Sequence, residues 1–287
     1  DGKLAPRTLY IGGGTPTVLE TANLPDVFYL LQKHIDVEHI GEFTIEANPG
    51  TVDGEKLRLL RGFGINRLSL GVQSFDDGCL KAIGRIHSGQ EAAEAVAEAQ
   101  DAGFTNVSVD LMYGLPGQDM DMLRESVATA LSLGVQHISI YGLQLEPGTV
   151  FDKMQQQGRL ELPTDEAAEA MYDYITDILP EQGYRRYEIS NFALPGYEAR
   201  HNSAYWFHVP YVGLGPGAHS LLITQSPDGD SPQGKWVRRW NEPDLKRYIG
   251  NPEGCTDGEE LTPEQIGMER IMLALRTSDG ADEDFMV

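Results

Sequence analysis

The chain reads as an α/β protein of serial strand–helix units, a full or partial (β/α) barrel, with a doubly wound open sheet as the alternative. Three observations lead there. Four segments repeat one pattern, a helix-prone stretch, a glycine, then a short aliphatic or β-branched run. Apolar or aromatic residues fall four and six places after Gly64 (Leu68, Leu70), Gly103 (Val107, Val109), Gly134 (Ile138, Ile140) and Gly183 (Tyr187, Ile189). A glycine that closes a helix in the left-handed conformation, followed by an alternating strand, accounts for each unit. Two earlier strands, Thr8 to Ile11 and Glu42 to Ile45, flank a helix over Leu24 to Ile35. The units follow one another at uneven intervals through the first 190 residues, which disfavours a solenoid.

Within this plan the alanine- and leucine-rich stretches Glu91 to Ala102 and Leu123 to Leu133 are helices. The chain changes character after Ser190. We therefore divide it into a barrel core (1–190), an extension rich in aromatics, Gly and Pro (191–250) and the start of a helical carboxy-terminal region (251–287). In the last, Thr262-Pro263-Glu264-Gln265 forms a capping box with proline at the first helical position, opening a helix that runs to about Leu275.

Composition narrows the function. The 287 residues are 40% hydrophobic and 23% charged, as in a water-soluble globular chain, and no apolar run approaches the roughly 18 residues that span a bilayer. Acidic residues (44) outnumber basic ones (22), a formal net charge of −22. This argues against nucleic acid, which needs a basic footprint, and against docking on anionic lipid through a polybasic patch. Cys79 and Cys255, 176 positions apart, have no metal-binding spacing and suit a reducing compartment, so the expected location is the cytoplasm, or an organelle in a eukaryote. The start lacks a methionine and an apolar signal region and is expected to be a cut.

In (β/α) folds reactive groups collect at the carboxyl ends of the strands. Those ends carry Gly12-Gly13-Gly14-Thr15-Pro16, then Glu46-Ala47-Asn48-Pro49, Gly71-Val72-Gln73-Ser74, Asp110 with Tyr113-Gly114-Leu115-Pro116-Gly117, and Tyr141-Gly142. Consecutive glycines let backbone N–H groups approach an anion, though they also make plain tight turns. Glu46 and Asp110, each expected at a strand end, need a hydroxyl, an ammonium or a salt-bridge partner. Either acid alone would read as structural; together with Gln73 on one rim they favour a polar ligand. Arg85 could fork onto a ligand carboxylate or stand in solvent. Outside the repeat lies His201-Asn202-Ser203-Ala204-Tyr205-Trp206, followed by His208. A histidine beside two large aromatics suits axial ligation over a flat apolar macrocycle, or an ordinary packed loop. His219 sits in a turn-rich stretch and is the weakest candidate.

Four segments, Gly12-Gly13-Gly14-Thr15-Pro16-Thr17, Ile45-Glu46-Ala47-Asn48-Pro49, Ser69-Leu70-Gly71-Val72-Gln73-Ser74-Phe75 and Asp110-Leu111-Met112-Tyr113-Gly114-Leu115-Pro116-Gly117, occur in an order that resembles the oxygen-independent coproporphyrinogen III oxidase-like radical S-adenosylmethionine (SAM) proteins. The resemblance implies a partial (β/α)6-type barrel with SAM across its rim. Gly13, Gly14 and Thr15 would contact the methionine end, Glu46, Gln73, Arg85 and Asp110 its polar groups, and Gly142 the adenine. The sextet from His201 to Trp206 resembles the HNxxYW motif of the family's haem-chaperone branch, which implies haem as a ligand, His201 on its iron, and haem-accepting proteins such as respiratory enzymes as partners. The family's Cx3Cx2C motif, which holds a [4Fe–4S] cluster and should lie before Gly12, is not in this sequence. The chain is expected to begin after it, with the cluster belonging to the complete protein. Three functions follow: a haem-binding and delivery protein, a coproporphyrinogen oxidase acting through a 5′-deoxyadenosyl radical, or a SAM-binding barrel with an unrelated substrate. The sextet favours the first.

Overall fold

Left-handed glycines close three of the helices three or four residues before the next strand begins, which keeps those helix-to-strand connections short. Gly64, Gly103 and Gly134 have φ of 95°, 91° and 66°. The computed structural model describes residues 2–224, 234–252 and 256–281, in two compact units, Asp1–His201 and Asn202–Val287.

The first unit contains β1 (Thr8–Ile11), α1 (Leu24–His34), β2 (Glu42–Ala47), α2 (Gly54–Gly62), β3 (Arg67–Gln73), α3 (Asp77–Ala82), α4 (Gly89–Asp101), β4 (Val107–Tyr113), α5 (Met120–Ser132), β5 (His137–Gly142), α6 (Val150–Gln156), α7 (Asp165–Glu181), β6 (Arg185–Arg186) and β7 (Asn191–Ala193), and α8 (Arg200–Trp206) leads out of it. The sheet order is β1-β2-β3-β4-β5-β7-β6, with the first five strands parallel. Strand order follows chain order and never reverses through β5. That is the singly wound sheet of a partial barrel, and it rules out the doubly wound alternative, whose strand order reverses at a switch point.

The unit after Gly183 departs from the expected pattern. The glycine does close α7 with φ of 87°, but Tyr187 and Ile189 lie outside any strand. The chain folds into a hairpin whose strands run antiparallel to each other and to β5. A local turn replaces the sixth parallel strand: Tyr187 N–H donates to the Asn191 carbonyl, and the Asn191 amide donates to the buried Glu188 carboxylate.

Strand alternation gives the parallel sheet two unlike faces. One carries Phe43, Ile45, Leu68, Leu70, Val72, Val107, Val109, Leu111, Ile138 and Ile140, all buried in one cluster with Leu57, Leu60, Val96, Leu123, Val127 and Leu179 of the helices. Residues between them form a polar face. Glu46, Ser69, Ser108 and His137 stand side by side across four strands, and Gly71, Asp110 and Ser139 form the next row.

The second unit has an antiparallel sheet, β8 (His219–Thr224), β9 (Lys235–Asn241) and β10 (Thr256–Glu260), with α9 (Leu245–Gly250) and α10 (Pro263–Ala274). Thr262 caps α10 in the expected box, with Gln265 bonding back. Among the described residues no helix is long and apolar enough to cross a membrane.

Adjacent residues of β3 test the two faces. Leu68→Ala, on the helix side, should cost about 3 kcal/mol in urea unfolding. Ser69→Ala, on the polar side, should cost under about 1 kcal/mol. Equal losses would mean the faces are not distinct.

Candidate functional site

The carboxyl ends of β1, β2 and β3 are tied into one rim. The glycine loop after β1 turns at Gly13 (φ 84°), whose N–H donates to Glu46 at 3.2 Å. Glu46 also accepts from the Tyr10 hydroxyl at 2.5 Å. The loop ends at Thr15, whose hydroxyl accepts from the Asn48 amide at 2.7 Å. Beneath it Lys56, buried, donates to the carbonyls of Thr17 (2.8 Å) and Thr51 (2.9 Å) and pins the loop base to α2.

Gly71 and Gln73 shape the next part. A register shift between them accompanies Gln73 at φ 68°, left-handed geometry that costs a non-glycine residue on the order of 1 kcal/mol. A Cβ at Gly71 would meet Asn48 Oδ1 at 2.7 Å and Gln73 Nε2 at 3.0 Å. Only glycine lets these two side chains converge there. Arg85 Nη1 donates to Asn48 Oδ1 at 3.2 Å, which brings the guanidinium to the same place.

Asp110 stands midway along β4, not at its end as expected, facing Gly71 on one side and Ser139 on the other. Burial pushes its carboxyl up to about 6; the Glu46 charge adds to this, while Ser139, Arg67 and Ser69 oppose it. Gly142 makes room for a neighbour: a Cβ there would meet the Tyr113 ring at 2.9 Å. The strand-end residues Gly13, Gly14, Thr15, Glu46, Gln73 and Arg85 thus share a rim, and Asp110, level with Gly71, stands one row nearer the carboxyl ends than Glu46. The set suits SAM. Two carboxylates match its ammonium and ribose hydroxyls, a guanidinium matches its carboxylate, and Gly13 and Gly14 leave the loop open, with nothing within 4 Å of an added Cβ.

His201 lies at the other end of the strands. Its Nδ1 shares a hydrogen bond with the hydroxyl of Thr8, the first residue of β1, at 2.8 Å. Its ring stacks on Tyr10 at 5.2 Å and 19°. The N–H groups of Arg200 and His201 donate to the Glu42 carboxylate at 2.8 and 2.9 Å, so the first residue of β2 anchors the start of α8. Burial lowers the His201 pKa, which favours the neutral ring; Glu42 works against this and Arg67 with it. A neutral imidazole steered through Nδ1 is the form that ligates metals. Tyr10 therefore touches both ends, its ring on His201 and its hydroxyl on Glu46.

The other sequence candidates have structural roles. His208 is buried in the second unit, bonded to Glu269 at 3.0 Å and stacked on Trp236. His219, exposed, opens β8 beside Trp240. In the same unit Tyr205 packs edge-on against Tyr211, and Arg276 lies over the Trp206 ring. Cys79 is a buried thiol, pushed up to about 12 by burial and then by Asp76. Cys255 lies outside the described residues. Two cysteines do not fit a [4Fe–4S] cluster, and among the described residues no group of three or more His, Cys, Asp or Glu side chains could hold a metal ion.

Sequence reasoning missed Tyr10, Glu42, Thr44, Arg67, Ser108, His137 and Ser139 of the polar face. Part of the signal was present: Tyr10, Thr44, Ser108 and Ser139 each fall between apolar residues of a strand in a sheet whose strands should be apolar on both sides, whereas Glu42, Arg67 and His137 open their strands and carry no such mark.

Because the folded Asp110 binds its proton more tightly than the unfolded one, stability should rise as pH falls from about 7 toward 4. The gain should be on the order of 2 kcal/mol by chemical denaturation and absent in Asp110→Asn, which should be the more stable protein at pH 7.5. A pH dependence that persists in the variant would assign it elsewhere.

Residues 3–130 match the Radical SAM superfamily. The chain is 38% identical over 284 residues to the haem chaperone HemW of Bacillus subtilis, covering 96% of this chain and 71% of that protein. It is 44% identical over 216 residues to HemW of Lactococcus lactis, covering 75% and 57%. It is 36% identical over 276 residues to the mitochondrial radical S-adenosyl methionine domain-containing protein 1 of Bos taurus, covering 96% and 62%. The chain thus spans from 57% to 71% of the length of these relatives. Coproporphyrinogen III oxidase (HemN) from Escherichia coli shares the fold, with a TM-score of 0.78 at 23% identity over 95% of this chain and 63% of that one. The chain belongs to the radical SAM superfamily and, within it, to the family of the haem chaperone HemW.

Proposed function

We propose that this chain is the SAM- and haem-binding part of a haem chaperone that takes haem through His201 and passes it to haem-accepting proteins. The observation that carries the reading is the setting of His201. It is stacked on Tyr10 and steered through Nδ1 by Thr8, with burial lowering its pKa, in a motif whose relatives are named for haem.

The rim holds SAM through Gly13, Gly14, Thr15, Glu46, Gln73, Arg85 and Asp110. SAM bound there supplies a sulfonium and an amino-acid head group. The chain's own residues orient it: Arg85 takes the carboxylate, while Glu46 and Asp110 take the ammonium and ribose hydroxyls. Cys79 and Cys255 do not fit a [4Fe–4S] cluster. The alternative, a coproporphyrinogen oxidase, rests on the fold shared with HemN at 23% identity, and fold at that distance speaks to architecture and not to chemistry.

The two ends of the strands should separate in binding experiments. In a haemin titration followed by the Soret band, His201→Ala should lose affinity by more than about tenfold while calorimetric SAM binding stays unchanged. Glu46→Gln should weaken SAM by a similar factor, about tenfold, and leave haemin alone. If wild type and His201→Ala bind haemin alike, His201 loses its role and coproporphyrinogen turnover by the complete protein becomes the next test.

A further inference from the structure

Two cations are buried in the first unit, and they are treated differently. Lys56 is 8% exposed and donates to two carbonyls. Arg67, the first residue of β3, is 3% exposed, and its Nε has no hydrogen-bond partner. None of the ion pairs among the described residues reaches its guanidinium. Beside it in the register stands Thr44, fully buried, whose hydroxyl also lacks a partner. An arginine keeps its charge in any protein environment, and a buried charge without a counter-charge is costly. Two orphaned polar groups side by side on the polar face are what remains when a ligand supplies the missing acceptor.

We propose that Arg67 and Thr44 form a buried anion site that takes a carboxylate. The planar guanidinium fork matches a carboxylate's two oxygens, and the Thr44 hydroxyl can donate to one of them. Glu46 and Asp110 share this face and Arg67 already acts on Asp110 across it, which limits the ligand to a monoanion and excludes a phosphate dianion. The influence of Arg67 on Tyr10, Asp110, His137 and His201 sets it among β1, β4, β5 and the start of α8. A carboxylate there would come either from a free small acid or from a propionate of haem; the second source alone rests on the haem reading above.

The test is thermal denaturation of this chain in sodium formate against sodium chloride at equal ionic strength. Formate should raise the wild-type Tm saturably. Arg67→Met should not respond to formate. Thr44→Val should shift the formate midpoint upward, and it serves as the readout should Arg67→Met fail to fold. Haemin and its dimethyl ester then identify the source. If the haem propionate is the carboxylate, Arg67→Met loses more than about tenfold in affinity for haemin and none for the ester. If both bind wild type and Arg67→Met alike while formate still acts through Arg67, the site takes a free acid. His201→Ala reports on the haem reading separately. The anion site is overturned if wild type shows neither a formate response nor an Arg67-dependent preference for haemin over its ester.

Discussion

The parallel sheet sends alternate side chains into two unlike environments, and both the stability and the candidate chemistry of the chain depend on that division. On the helix side, Leu68, Leu70, Val107, Val109, Ile138 and Ile140 pack into one apolar cluster. That burial supplies the favourable free energy against which the other face can hold charges and hydroxyls at a net cost. Without it, Arg67, Asp110 and His137 could not be kept away from water. A one-residue slip of any strand would exchange the faces, so register is strongly specified.

The polar face then works as a graded surface from one strand end to the other. At the carboxyl end, Glu46 and Gly13 are linked, and Asn48, Gln73 and Arg85 converge over Gly71. At the amino end, Glu42 and Thr8 hold His201. Tyr10 spans the interval, with burial and then Glu46 raising its pKa so that its hydroxyl stays a donor. A change in Glu46 is therefore one ring away from His201.

Strain and unpaired charge collect on the same face. Gln73 holds a left-handed backbone, Asp110 titrates well above an ordinary carboxyl, and Arg67 lacks a partner, whereas the helix side shows ordinary packing. Departures of this kind mark the places where a fold gives up stability for binding.

The amino-acid sequence by itself determined the serial strand–helix plan, the strand-end rim from Gly13 to Arg85 and the capping box at Thr262, because each depends on local rules of glycine φ, side-chain period and capping. Gly183 shows where local rules stop. The glycine closed its helix as they require, yet the run after it became a hairpin, since Glu188 and Asn191 found each other across a turn that no local period encodes. The polar face was half legible. Its alternation is written in every strand, but which of its residues meet is a matter of register between strands far apart in the chain. Tertiary structure alone put His201 against Thr8, 193 positions away, and left Arg67 beside Thr44 with no partner for its Nε, because pairing and desolvation are set by what the fold brings near and not by what lies next along the chain.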